Sequence, residues 1–149
     1  MDDCQLITNL IFTYAERIDQ GDLEGVAELF RHGEIHAPFQ GAITRGYDDV
    51  LAMYRSSTRL YENGTPLTRH LTHNLIIEIG EDHDSANCRS SYTVFQATPA
   101  LPLQPIIIGR YQDSFVRVDG EWRFAIREMY VDLPGDLSQH LLFDPDSLT

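Results

Sequence analysis

Positive charge is scarce in this chain. Against 23 Asp and Glu stand only 11 Lys and Arg, a formal net charge of −12 over 149 residues. A phosphate backbone is gripped by a basic face, and this balance does not supply one, so nucleic acid is not an expected partner. Cysteine is equally sparse. Cys4 and Cys88 are the two thiols, too few for a disulfide framework. No stretch approaches the ~18 consecutive apolar residues of a membrane span. The opening Met-Asp-Asp-Cys-Gln lacks the basic region and apolar run of a secretory leader. The expectation is a soluble, cytoplasmic protein with no membrane partner. There is no internal repeat and no low-complexity segment. Gly41, Gly46 and Gly109 form no phosphate-cradling loop, and His32 and His36 do not sit as a helical metal-binding pair, so neither a nucleotide nor a metal cofactor is expected.

What is present is ordinary globular material, 42% hydrophobic and 10% aromatic, enough for one domain with a core around a cavity. Ile7, Leu10, Ile11, Tyr14, Ala15 and Ile18 recur at spacings of three and four, predicting a helix over residues 3–19. Asp19 continues the Ile11–Ala15 ladder, so a carboxylate points to the buried side at the helix end. Gly21 stops this helix, and Asp22 caps a second through Leu23–Phe30. Gly33–Phe39 reads as a short strand ending near Pro38, with Ala42–Arg45 as its hairpin partner. A third helix is predicted from about Tyr47 to Tyr61, with Asp48 and Asp49 in its first turn.

The stretch Leu67-Thr-Arg-His-Leu-Thr-His-Asn-Leu-Ile-Ile-Glu-Ile79 is a strand whose polar start carries two histidines. Regular alternation puts His70, Thr72, Asn74 and Ile76 on one face and Leu71, His73, Leu75 and Ile77 on the other. Strands follow at Ala86–Gln96, Ile106–Val118 and Glu121–Val131. The proline-rich 98–105 segment separates the first two, because proline cannot serve a central ladder. Asp119-Gly120 turns the last hairpin, whose second strand alternates Trp122, Phe124 and Ile126 against Arg123, Ala125 and Arg127. After Pro134 come a short amphipathic run, Leu137–Phe143, and an acidic coil. Helices early and a long antiparallel sheet late make an α+β fold: a cone-shaped barrel in which a curved, mostly antiparallel sheet wraps around three N-terminal helices. The expected organisation is one domain over 1–134 and a tail over 135–149.

The chemistry follows from Asp19 and His70. A neutral imidazole is a competent base near pH 7, and a partly buried carboxylate fixes its tautomer and stabilises the imidazolium that forms. The same pair could instead be a structural tie between the first helix and the sheet. Tyr54, Tyr92, Tyr111 and Tyr130 are candidates to hydrogen-bond a substrate oxygen, or to serve as pocket wall.

Three motifs carry a family resemblance: Tyr14-Ala-Glu-Arg-Ile-Asp-Gln-Gly-Asp-Leu23, Arg69-His-Leu-Thr-His-Asn74 and Val118-Asp-Gly-Glu-Trp-Arg-Phe124. With the element order, they resemble the nuclear transport factor 2-like superfamily and its SnoaL-like group over residues 3–132. Around the site the chain is similar to scytalone dehydratase and hexachlorocyclohexane dehydrochlorinase. Both use an aspartate ending the first helix and a histidine opening the third strand, positions that fall on Asp19 and His70. The dehydrochlorinase spacing extends to Asn74, Leu75 and Glu78, and its basic residue before the last turn to Arg117. The remaining polar groups of scytalone dehydratase fall near Ala37, Ser91 and Tyr111, so its substrate-polarising set is not reproduced.

The resemblance implies a lyase or isomerase without a cofactor, of dehydratase, dehydrochlorinase or polyketide-cyclase type. Asp19 and His70 would be catalytic, and Tyr14, Tyr54, Asn74, Tyr92, Tyr111, Arg117 and Tyr130 would line the substrate site. The ligand would be a small hydrophobic, aromatic or polyketide-like molecule. The alternatives are a non-catalytic ligand-binding or assembly module of the same fold, or the small subunit of a ring-hydroxylating dioxygenase. Long strands that three helices cannot cover on both faces predict a homodimer through the sheet.

Overall fold

Two aspartates start the first two helices. Asp2 accepts a hydrogen bond from the Gln5 N–H at 2.8 Å and opens α1 (Asp3–Asp19), and Asp22 accepts from the Gly25 N–H at 2.9 Å and opens α2 (Leu23–Leu29). Each satisfies an N–H that a helix start leaves orphaned. In the turn between them Gly21 has φ +72°, and a Cβ there would lie 1.9 Å from the Gly64 carbonyl oxygen. Only glycine lets the end of α1 sit this close to the 61–66 loop that leads into the third strand.

The structure, a computed structural model, describes residues 1–143. The acidic coil expected beyond Phe143 lies outside the described residues. After α2 come β1 (Glu34–Ala37), one 3-10 turn (Pro38–Gln40), β2 (Ala42–Arg45), α3 (Gly46–Ser57), β3 (Thr68–Ile79), β4 (Ser85–Thr98), β5 (Leu101–Val118) and β6 (Glu121–Pro134). The strands form one sheet in the order β2-β1-β6-β5-β4-β3, antiparallel except for the β1–β6 pair. The sheet is curved but not closed, and the helices fill its concave face. Phe30, which caps the end of α2, stacks on Phe124 of β6 at 4.8 Å, and Ile7, Ile11, Val26 and Val50 complete a core with no solvent exposure. Burying that much aliphatic and aromatic surface is the main force holding helices to sheet.

Four expectations are corrected. Helix α3 stops at Ser57 rather than near Tyr61, because Thr58 turns extended and bridges to Leu141. The proline-rich segment is no separating loop: β5 begins at Leu101 and includes Pro102 and Pro105. Strand β6 reaches only to Ile107 along β5, so this part of β5 has β4 on one side alone and tolerates residues without an N–H. In β3, Asn74 takes φ +56° and the register with β4 slips between His73 and Ile76. This bulge reverses the alternation, so Leu75, Ile77 and Ile79 turn inward and Ile76 is 48% exposed. A second slip, between Ser114 and Phe115 of β5, adds Ala125 to β6. Beyond it the faces swap: Arg127 points inward, fully buried, and Ile126 does not.

Among the described residues no helix is long and apolar enough to cross a membrane. Cys4 is exposed and Cys88 buried, and both are free thiols.

Candidate functional site

Between the concave face of the sheet and helices α1 and α3 lies a cavity of about 290 Å³, at the small end of ligand-site volumes. Ile18, Ile35, Val94, Ile107 and Met129 make its wall largely apolar, and Tyr14, Tyr54, His70 and His140 bring polar atoms to it. Few polar groups converging in an apolar cavity are the usual signature of a small-molecule site.

Asp19, the last residue of α1, engages β3 at three points. Its Oδ1 lies 2.6 Å from His70 Nδ1 and accepts from Thr68 Oγ1 at 2.9 Å; its Oδ2 accepts from the His70 backbone N–H at 2.8 Å. The backbone contact has a simple origin. Strand β3 ends the sheet, so the N–H groups on its open side lack a strand partner, and the carboxylate takes one of them. Both side chains are nearly enclosed, Asp19 11% and His70 9% exposed. A carboxylate beside Nδ1 keeps the proton there and leaves the Nε2 lone pair as the acceptor. His70 is part of the cavity wall, so a ring nitrogen with its tautomer fixed lines the cavity.

Across the cavity, the hydroxyls of Tyr14 and Tyr54 lie 2.5 Å apart. Two hydroxyls carry two protons and their mutual bond consumes one. Among the described residues the nearest other acceptor is the Met129 sulfur, 3.8 Å from the Tyr14 hydroxyl and a weak one. One proton is therefore available to a ligand oxygen. Burial raises both phenols above their ordinary pKa, Tyr54 strongly, so both are protonated donors at neutral pH.

Beneath them Arg127 forms a two-pronged ion pair with Asp113, both contacts at 2.9 Å, with its guanidinium 3.6 Å from the Tyr111 ring centroid and 4.3 Å from that of Tyr14. Burial alone would depress the Arg127 pKa, and the Asp113 carboxylate more than offsets it, holding the group charged. The pair anchors the tyrosine layer from behind.

The remaining sequence candidates divide. Tyr92 and Tyr111 stack at 4.2 Å and face the cavity, but the Tyr92 hydroxyl already donates to the Tyr130 carbonyl at 2.9 Å. Three residues expected in the substrate site are not brought to it. Asn74 sits exposed at the bulge of β3. Arg117 binds Asp3 and Asp84 and covers the Trp122 ring at the far end of the sheet. Tyr130 donates to Glu128 at 2.6 Å and stacks under Arg110. His73 bonds Thr93 at the surface, and His36 bonds Glu34 at 2.7 Å.

His140 is the residue missed. It comes from the tail, is 7% exposed and lies with its ring centroid 6.3 Å from that of His70. Its signal was in the tail's own spacing: Leu137, His140 and Leu141 fall at i, i+3 and i+4, one face of a turn. Burial, then the neighbouring His70, depress the His140 pKa to about 4, so the ring is neutral at physiological pH.

Relatives of known structure share this architecture. A protein of unknown function from Mycobacterium tuberculosis, Rv3472, solved as a variant with one aspartate replaced by asparagine, is 31% identical over 87% of this chain and 76% of its own, with a TM-score of 0.70. A proposed scytalone dehydratase from Novosphingobium aromaticivorans is 27% identical over 90% of this chain and 87% of its own, with a TM-score of 0.72. A cystatin-like protein of unknown function from Nostoc punctiforme, 24% identical over 91% of this chain and 95% of its own, has a TM-score of 0.72 and shares the fold. No curated protein sequence matches the chain. The SnoaL-like domain model matches residues 1–128, from the first helix to the Arg127 strand. Helices on a curved sheet, a small apolar cavity and a match over that length make this chain a member of the SnoaL-like domain family.

Proposed function

We propose that this protein is a small-molecule lyase or isomerase in which His70 is the general base and Asp19 its positioning residue. The observation that carries the reading is the 2.6 Å contact between Asp19 Oδ1 and His70 Nδ1 at the cavity wall, which leaves Nε2 to take a proton. In an elimination, Nε2 removes the proton from the carbon next to a carbonyl. The C–H electron pair becomes the new C=C bond as the bond to the leaving group breaks. A departing hydroxide collects the spare proton of the Tyr14–Tyr54 pair and leaves as water. With an internal carbonyl as electrophile, the same deprotonation would instead drive ring closure. The chain's own side chains supply every group in this sequence, and the apolar wall strengthens each charge interaction by excluding water.

The substrate class follows from the wall: a small, largely apolar molecule with an acidic C–H and a carbonyl or hydroxyl oxygen. A test uses 3-hydroxy-1-tetralone, whose dehydration gives 1-naphthol and is followed by absorbance. The expected result is acceleration by wild type and a loss of about 100- to 10,000-fold in His70→Ala. Equal rates in wild type and His70→Ala would sink the base assignment. Tight binding of this and related ketones without turnover would move the protein to the ligand-binding class.

The homodimer belongs to the same proposal. Leu71 and Ile76 on β3 and Ile108 on β5 are 44%, 48% and 37% exposed, an apolar set that a second sheet would cover. Light scattering that reports a monomer at micromolar concentration would refute it.

A further inference from the structure

The tail is fastened over the cavity by a set of bonds that ends at one histidine. Leu137 is buried, and the His140 and Leu141 N–H groups both return to its carbonyl at 3.1 Å, closing a turn. The Gln139 carbonyl accepts from Tyr61 at 2.5 Å and from Gln96 Nε2 at 3.1 Å. The His140 carbonyl accepts from the Arg59 N–H at 2.9 Å, and the Leu142 N–H donates to the Ser57 carbonyl at 3.1 Å. The backbone on both sides of His140 is thus tied to the segment leaving α3 and to β4. Among the described residues its side chain is not tied to anything: the ring forms part of the cavity wall, and its buried Nδ1 has no hydrogen-bond partner there.

That combination is unusual. A buried polar group left without a partner costs on the order of 1–3 kcal/mol, and buried polar side chains are nearly always satisfied. A leucine or phenylalanine would fill the same volume without that loss. The site is also short of polarising groups on the sheet: Ser91 faces away from the cavity beside its inward neighbour Tyr92, and the Tyr92 hydroxyl is spent on the Tyr130 carbonyl.

We infer that His140 is a catalytic residue, a neutral imidazole that donates a hydrogen bond to the carbonyl oxygen of the substrate while His70 removes the neighbouring proton. The inference rests on the proposed base chemistry and adds the group that makes the carbon acid acidic enough. The two rings meet the cavity edge to face from different elements, one from β3 and one from the tail, so proton acceptor and hydrogen-bond donor converge from two sides. Neutrality suits the role. A neutral imidazole donates to a carbonyl that gains charge as it enolises, and neutral histidines serve as electrophiles of this kind in other enzymes. Among the described residues, the charged and titratable side chains that act on His140 are His70 and Asp19. The division of labour makes the preferred substrate an enolisable ketone rather than a simple halide, because only a carbonyl oxygen uses both histidines.

The test is NMR of 1-tetralone labelled with carbon-13 at the carbonyl, mixed with excess protein in deuterated water. Two signals are read: the carbonyl shift, which reports hydrogen bonding to oxygen, and loss of the protons at C2, which reports the base. Wild type should move the carbonyl downfield and exchange the C2 protons. His140→Phe should lose the carbonyl shift, and His140→Gln, which keeps an N–H donor, should recover part of it. His70→Ala should keep the carbonyl shift and lose the exchange. A carbonyl that stays at its free position in wild type, or an unchanged downfield shift in His140→Phe, overturns the assignment. A shift that depends on His140 without any C2 exchange leaves His140 standing and removes the base reading instead.

Discussion

Asp19 holds His70 twice, through the ring and through the main chain: one carboxylate oxygen lies 2.6 Å from Nδ1 and the other accepts the backbone N–H at 2.8 Å. A ring hydrogen bond alone would leave the strand free to shift beneath it. With both, the position of the ring and its tautomer are set by the same side chain, so the two effects cannot be separated by removing it.

Asp19→Ala therefore has two expected effects. It leaves the Thr68 hydroxyl and the His70 N–H without their partner and lowers stability by about 2 kcal/mol or more, measured by urea unfolding. It also lowers kcat by at least about 100-fold on any substrate that His70 deprotonates. Asp19→Asn is expected to be the sharper test. Its amide N–H₂ donates to Nδ1 and forces the ring proton onto Nε2, so kcat falls similarly with a smaller loss of stability. An Asn variant with wild-type kcat would show that the tautomer is not what Asp19 contributes.

The buried His140 makes stability depend on pH in a definite window. Its folded pKa is about 4 against an ordinary 6.5, so between these values the unfolded chain binds a proton that the folded chain refuses. Stability then rises with pH across that window by about 3 kcal/mol, and His140 contributes no slope above or below it. Urea unfolding at pH 4, 5, 6 and 7 (about one unit apart, spanning the window) measures this in wild type and His140→Phe. The difference between the two should change across that window; a constant difference would mean that burial does not depress the His140 pKa.

The Arg127–Asp113 pair predicts an asymmetry. Both side chains are fully buried. Asp113→Ala strands a buried guanidinium beneath Tyr14 and Tyr111 and should destabilise by about 3–5 kcal/mol. Replacing both, as Asp113→Leu with Arg127→Met, should recover most of that loss. If thermal unfolding finds the double variant as unstable as the single one, the pair itself is what holds the tyrosine layer.

Gly109 leaves no room for a side chain. A Cβ there would meet the Tyr130 carbonyl oxygen at 2.0 Å and the Tyr92 hydroxyl at 2.6 Å. Gly109→Ala should break the Tyr92–Tyr130 bond and push Tyr92 toward the cavity, with a loss of about 1–3 kcal/mol. A crystal structure showing Tyr92 undisturbed would count against the close packing of these strands.

Much of the fold can be read from periodicity because local preference and burial agree there. Residues 3–19 are one example: the apolar ladder, the stop at Gly21 and the cap at Asp22 all point the same way. Asp19 is legible for the opposite reason, as a carboxylate where an apolar side chain belongs. The bulges are not legible. Nothing in His73-Asn-Leu-Ile76 announces an extra residue, since Asn is common in many turns, and the alternation that places Asn74 in the site holds only up to that residue. The same assumption sends Arg127 outward, and its burial depends on Asp113 of the neighbouring strand, a pairing that sequence spacing does not encode. Arg117 follows a family position whose side chain is here committed to Asp3 and Asp84. His140 lies in a tail that composition sets apart from the domain, although that tail supplies part of the cavity wall.

Two of the sheet's bulges, at Asn74 and Ala125, also give it a kind of parity. In a regular strand every residue is odd or even, inward or outward, and an added residue changes the parity of all that follow. Asn74 does this to β3 and Ala125 does it to β6. Removing Asn74 would therefore restore regular alternation without moving a face: Leu75 would follow the outward His73 and still point inward with Ile77 and Ile79, and Ile76 would stay outside. Removing Ala125 would likewise leave Ile126 outside, directly after the inward Phe124, and keep Arg127 inside with Asp113. Substitution differs between the two: Asn74 holds φ +56°, which glycine and asparagine adopt most readily, whereas Ala125 carries no such restriction. In a scan of single-residue deletions, these two sites should be tolerated best in their strands, whereas a deletion within β4, such as Ser90, would move the later side chains of that strand to the opposite face.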